Sequence, residues 1–86
     1  MPKTIHRNEY RVLLDLLKEH RVRASVTQNE VSVALKRSQS FMSDIERGVR
    51  RLDLVELRDI CTFLKIGLSR FVQEFEQGLP RRHKRN

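Results

Sequence analysis

The sequence predicts an all-α fold, a compact bundle of five short helices, and three observations carry that expectation. Apolar residues recur at three and four throughout, as in Tyr10, Leu13, Leu14 and Leu17 or Leu57, Ile60, Cys61 and Leu64. No segment alternates apolar and polar residues in the manner of a strand, and there is no internal repeat. Helix start and stop signals punctuate the chain, with Thr27 and Glu30, and again Asp53 and Glu56, spaced as capping boxes, and Gly48 set as a stop.

Each element follows from these signals. Residues 1–7 are polar and basic and read as a flexible arm. Asn8 or a neighbour is expected to cap a first helix running to about Arg23, which delivers Val26 into the core. Thr27 opens a second helix whose apolar face is Val31, Ala34 and Leu35. A tight turn at Lys36 and Arg37 leads to Ser38, a candidate cap for a third helix to Arg47 with Met42 and Ile45 inward, ended by Gly48. Val49 to Leu52 form a loop, and Leu54, Leu57, Ile60, Cys61 and Leu64 face inward on a fourth helix ending near Lys65 and Gly67. A fifth helix, from about Leu68 to Glu76, carries Phe71, Val72 and Phe75. Residues 8–77 thus make one domain, with a helix-turn-helix unit at about 27–48 and a basic tail over 78–86 set off by Gly78 and Pro80.

Composition bounds the function. Eighty-six residues with 38% apolar content build one small core but not an enzyme cleft. There is no Gly-rich phosphate loop and no Cys–His pair at a plausible spacing, so no enzymatic activity and no cofactor is expected. The single Cys61 falls in an apolar helix repeat and reads as a small buried hydrophobe. His6, His20 and His83 are scattered, which argues against a metal site. The absence of an apolar signal region and of a membrane-length window leads to a cytosolic expectation. The net charge of +7 includes four cations, Arg81, Arg82, Lys84 and Arg85, in the last seven residues. That tail is either a solvating terminus or an arm that adds phosphate contacts.

The outward residues of the third helix, Gln39, Ser40, Phe41, Ser43 and Asp44, are short or planar hydrogen-bonding groups plus one aromatic. A solvated helix face is more often Lys and Glu. A helix that approaches base edges in the major groove of DNA needs small polar groups instead.

The segment TQNEVSVALKRSQSFMSDIERG resembles the lambda-repressor-like, or XRE-type, family of helix-turn-helix regulators. The likeness rests on Gln28 opening the second helix, on Ser38, Gln39, Ser40 and Phe41, and on the closing Ile45, Glu46, Arg47 and Gly48. It extends over about Glu9 to Phe75 through EYRVLLDLLKEHRVRASVTQ upstream and VRRLDLVELRDICTFLKIGLSRF downstream. Two departures stand out: Ser32 where the family usually has Ala, and Lys36 where it usually has Gly. The Ser32 hydroxyl can bond a carbonyl one turn earlier. Lys36 should strain the turn, since positive φ disfavours a side-chain-bearing residue by about 1 kcal/mol.

The resemblance implies a sequence-specific DNA-binding transcriptional regulator, a repressor acting as a homodimer on a pseudo-palindromic operator in double-stranded DNA. Base reading falls to Ser38, Gln39, Ser40, Phe41, Ser43 and Asp44. Gln39 suits the adenine N6 and N7 edge, and Asp44 can accept from cytosine N4. Phe41 has two readings, packing at the helix crossing or lying on a thymine methyl. Phosphate contact falls to Thr27 and Gln28 at the start of the second helix and to Arg47, Arg50 and Arg51 beyond the third, whose guanidiniums bind phosphate in bidentate fashion. Arg21 and Glu46 are implied as an ion pair fixing the third helix on the first. The dimer contact is expected on the fifth helix, at Phe71, Val72 and Phe75. The alternative is a protein-interaction module on the same fold, antitoxin-like or of coactivator type.

Overall fold

Local signals set most of the helix ends seen in the computed structural model, which describes residues 7–79. The helices are α1 (Asn8–Arg23), α2 (Gln28–Ala34), α3 (Phe41–Arg47), α4 (Leu54–Phe63) and α5 (Leu68–Gly78), with no strand among the described residues. Thr27 and Asp53 side chains each accept a hydrogen bond from the N–H three residues on, and the Glu30 and Glu56 carboxylates accept the backbone N–H of Thr27 and Asp53, so both capping boxes form. Asn8 does not cap α1. It is the first helical residue, the N-cap is Arg7, and the Arg7 guanidinium binds Glu9 instead.

Four helices end the same way. Ser25 (φ 60°), Lys36 (φ 58°), Gly48 (φ 80°) and Lys65 (φ 64°) take the left-handed conformation just past α1, α2, α3 and α4. In each, the following N–H reaches back five residues, as Val26 to Arg21, Arg37 to Ser32, Val49 to Asp44 and Ile66 to Cys61, satisfying a carbonyl the helix leaves open. Only Gly48 occupies this conformation without a Cβ penalty.

The core gathers Leu14 and Leu17 of α1, Val31 of α2, Phe41, Met42 and Ile45 of α3, Leu57, Ile60 and Cys61 of α4, and Phe71 of α5. Burial holds the Cys61 thiol up at about 11, so it stays protonated. The α2 face differs from expectation: Ala34 is exposed and Ser32 is fully buried. The Ser32 hydroxyl does not bond back along its own helix but accepts the Met42 N–H at 3.1 Å, while Ser40 and Ser38 give α3 no side-chain cap. Ser32 therefore caps α3 from the neighbouring helix. An alanine there would leave a buried N–H unmet, at about 1–3 kcal/mol.

α1 packs on α3 and α5, and α2 on α3 and α4. Polar clasps reinforce these contacts. Tyr10 Oη accepts the Leu52 N–H at 2.9 Å, and His20 Nε2 meets Glu74 Oε1 at 2.6 Å across α1 and α5, with the His20 ring tilted against Phe71. That contact holds the Glu74 carboxyl below its ordinary range.

Candidate nucleic-acid interface

α2 and α3 are each seven residues long, too short to persist alone, so their placement comes from tertiary contacts. One of these is buried and ionic. Arg21 Nε and Nη2 fork onto the Glu46 carboxylate at 2.6 and 3.1 Å, and Nη1 donates to the Val26 carbonyl at 2.7 Å. Gln28 Nε2 adds a donor to the same carboxylate at 2.8 Å, and Arg11 donates to the Glu46 carbonyl at 3.3 Å. One acceptor thus ties α1, α2 and α3. Removing either member of such a buried pair strands the other charge, at about 3–5 kcal/mol.

The residues expected to read bases divide into two groups. Ser38, Gln39 and Ser40 are exposed, but they lie in the turn before α3, where the Phe41 N–H donates to the Ser38 carbonyl at 3.0 Å. The helix begins at Phe41, three residues later than the 38–47 span expected from the sequence, because the type of residue at 38 suited a cap whereas the cap comes from Ser32. Ser43 and Asp44 are half-buried on α3; Ser43 Oγ donates to the Ser40 carbonyl at 3.1 Å, and Asp44 Oδ1 pairs with Arg47 Nη2 at 2.6 Å.

Phe41 leaves this set. At 2% exposed, its ring belongs to the core and has no face for a thymine methyl. Two guanidiniums cover it, with Arg37 Cζ 4.4 Å and Arg50 Cζ 4.9 Å from the ring centroid.

Both of those arginines end on one carboxylate. Glu56 accepts from Arg50 Nη1 and Nη2 at 3.1 and 3.0 Å and from Arg37 Nη2 at 3.0 Å, besides its role in the α4 capping box. The Arg50 hydrogen bonds do most to hold its carboxyl down at about 2, and Glu56 in turn raises the pKa of Arg50. Residue spacing marked Glu56 only as half of a capping box and Arg37 only as a turn residue, not as partners around Phe41. Their signal is a cation at 37 and an anion at 56 flanking an aromatic at 41, and it is legible only once α4 is known to pack on α2.

The phosphate candidates are differently disposed. Thr27 is exposed at its cap, Gln28 is half-buried with its amide on Glu46, Arg47 is exposed beside Asp44, Arg50 is held on Phe41 and Glu56, and Arg51 is exposed in the loop. Phe71 must also be reassigned. It is fully buried in this chain's own core and cannot contribute to a dimer contact, which leaves Val72 at the surface and Phe75 half-buried. Residues 1–6 and 80–86, with His6, His83 and the cations of the tail, lie outside the described residues, whereas Gly78, expected to set the tail off, is the last residue of α5. Among the described residues there is no cluster of metal-ligand side chains, and no helix is long and apolar enough to cross a membrane.

Comparison with known proteins agrees with this geometry. A family model described as a helix-turn-helix domain matches residues 12–70. The fold matches that of the XRE-family like protein from Pseudomonas syringae pv. tomato str. DC3000 with a TM-score of 0.80 and 40% sequence identity, over 90% of this chain and 94% of that one. No match is found among curated proteins. A family match across more than half the chain, a neighbour at this identity and two short helices joined by a tight turn agree, and the chain belongs to the XRE-type family of helix-turn-helix DNA-binding regulators.

Proposed function

We propose that the protein is a sequence-specific transcriptional regulator, a repressor, that reads the major groove with residues 38–47 and binds a pseudo-palindromic operator as a homodimer. The observation carrying this reading is the exposed polar run Ser38, Gln39 and Ser40, set before a helix whose opposite side is locked by Met42, Ile45 and the Arg21–Glu46 pair. Exposed short side chains on a rigid mount are what base readout needs.

Ser38, Gln39, Ser40, Ser43 and Asp44 read bases in this scheme, with Phe41 as their support. Thr27, Gln28, Arg47, Arg50 and Arg51 hold the phosphates; Gln28 does so with the amide hydrogen that Glu46 leaves over. As a regulator of bacterial or phage type it works in the cytoplasm. Two copies would sit about one helical turn apart on the duplex.

Selection of bound sequences from random duplex DNA tests the whole reading, and it should return a motif with two-fold symmetry. On the selected site Gln39→Ala should lose about 1–3 kcal/mol while binding to unrelated DNA stays nearly unchanged. Equal losses on both duplexes would remove Gln39 from base reading. A protein-interaction role on the same fold is favoured by one feature, an open surface groove of about 440 Å³ in which Val26, Val33, Ala34 and Phe63 lie beside the polar Ser25, Asn29 and Glu30. Affinity that neither falls with salt nor depends on sequence would turn the assignment to that role.

A further inference from the structure

We propose that Arg37 and Arg50, stacked together on the Phe41 ring, form a phosphate clamp for the DNA backbone beside α3, with Arg37 a contact residue in its own right. This inference rests on the DNA-binding reading above. It adds a site on the turn between α2 and α3 to the arginines of the loop after α3.

The cluster has the composition of an anion seat. Two guanidiniums share the one Glu56 carboxylate, and of the two further carboxylates that act on Arg50, Asp44 is paired with Arg47 and Asp53 caps α4. The Arg37 and Arg50 side chains stay 36% and 34% exposed, whereas Glu56 beneath them is 14% exposed, so the cations are the part presented to solvent. A guanidinium carries five N–H groups; Glu56 takes one from Nη2 of Arg37 and one from each Nη of Arg50, and Arg50 Nη1 gives its other to the Arg51 carbonyl, so donor capacity remains on Nε and Nη2 of Arg50 and on Arg37.

Position and rigidity point the same way. Arg37 immediately precedes Ser38, and Arg50 follows Arg47 by three residues, so the pair brackets the segment assigned to the groove. The strands of the backbone run along both edges of that groove, and planar guanidiniums match phosphate oxygens in bidentate fashion. The ring fixes one face of each guanidinium and Glu56 fixes an edge, so little side-chain freedom remains to be lost on binding. The low pKa of Glu56 keeps the carboxylate charged, and the two arginines anchored, well into acid.

The competing description is a clasp that only fastens the loop to α4. Salt dependence separates the two, since an internal clasp releases no counterions from DNA. Arg37→Ala should bind both the selected site and an unrelated duplex several-fold more weakly at low salt, and the slope of log affinity against log salt should fall by about 1. A variant with the wild-type unfolding midpoint, unchanged affinity and unchanged slope would overturn the clamp. If Arg37→Ala does not fold, Arg37→Lys takes its place: it keeps the charge and loses the planar fork, so weaker binding to both duplexes supports the clamp and wild-type affinity refutes it. Failure of the DNA reading itself looks different, because the wild-type protein would then show no salt-dependent binding to any duplex.

Discussion

Glu56 does three jobs with one carboxylate, and its ionisation should be visible in the stability of the protein. It closes the α4 capping box and receives both Arg37 and Arg50, which hold its pKa at about 2 against an ordinary 4.5. A carboxyl lowered by folding contributes stability that is complete above pH 4.5 and is lost as the pH falls toward 2. Urea unfolding followed between pH 6 and pH 2 should show a decline over that interval that is reduced in Glu56→Gln. Identical profiles for the two proteins would mean that other carboxylates govern the acid side. The cluster also marks where sequence reading stopped at this scale. Glu56 was legible as the third residue of a capping box, and Arg21 with Glu46 through resemblance, because both are tied to fixed spacings. The burial of Phe41 was not, since a helical position gives a direction only after the helix start is known, and that start lies three residues later than the serine-rich run implies.

At the scale of the element, helix ends were the most legible part of the chain and also its most strained. Capping boxes at Thr27 and Asp53 and the stop at Gly48 are local chemistry, readable without a fold. The turn at Lys36 is equally local, and the left-handed conformation expected there is present at φ 58°. Lys36→Gly should therefore stabilise the protein by about 0.5–1 kcal/mol, the relief at positive φ exceeding the added freedom of the unfolded chain. The measurement is a denaturant midpoint at constant slope. A midpoint that does not rise would show that the lysine side chain contributes contacts that outweigh the strain. What could not be read at this scale was the cap of α3, because the hydroxyl that provides it stands ten residues earlier on another helix.

For the whole molecule, the proposed homodimer requires a face that meets a second copy. α5 gives one of its two phenylalanines, Phe71, to the internal core, so its outer face offers Val72 and part of Phe75. Leu54 and Val55 at the start of α4 are more exposed than either, at 65% and 69%. Sedimentation should show a concentration-dependent monomer–dimer equilibrium, and Val72→Glu should abolish it, together with cooperative operator binding, while leaving the unfolding midpoint in place. If instead Leu54→Ser and Val55→Ser dissociate the dimer and Val72→Glu does not, the contact belongs to the start of α4. A wild-type monomer at every concentration would rule out the homodimer.

The cap that Ser32 gives to Met42 bears on portability. A seven-residue helix lies below the length at which helices hold themselves together in water, and this one begins on a hydroxyl borrowed from α2 and leans on a carboxylate shared with α1. The segment proposed to read bases is therefore not a detachable cassette. Grafted onto a foreign scaffold as residues 38–47, it would lose the Ser32 partner of the Met42 N–H and its mounting together, so a piece transplanted with its shape must also carry Arg21, Gln28 and Ser32. Under the proposed reading, redesign of specificity belongs in place, on the exposed residues before Phe41, where exchanges leave that borrowed support untouched.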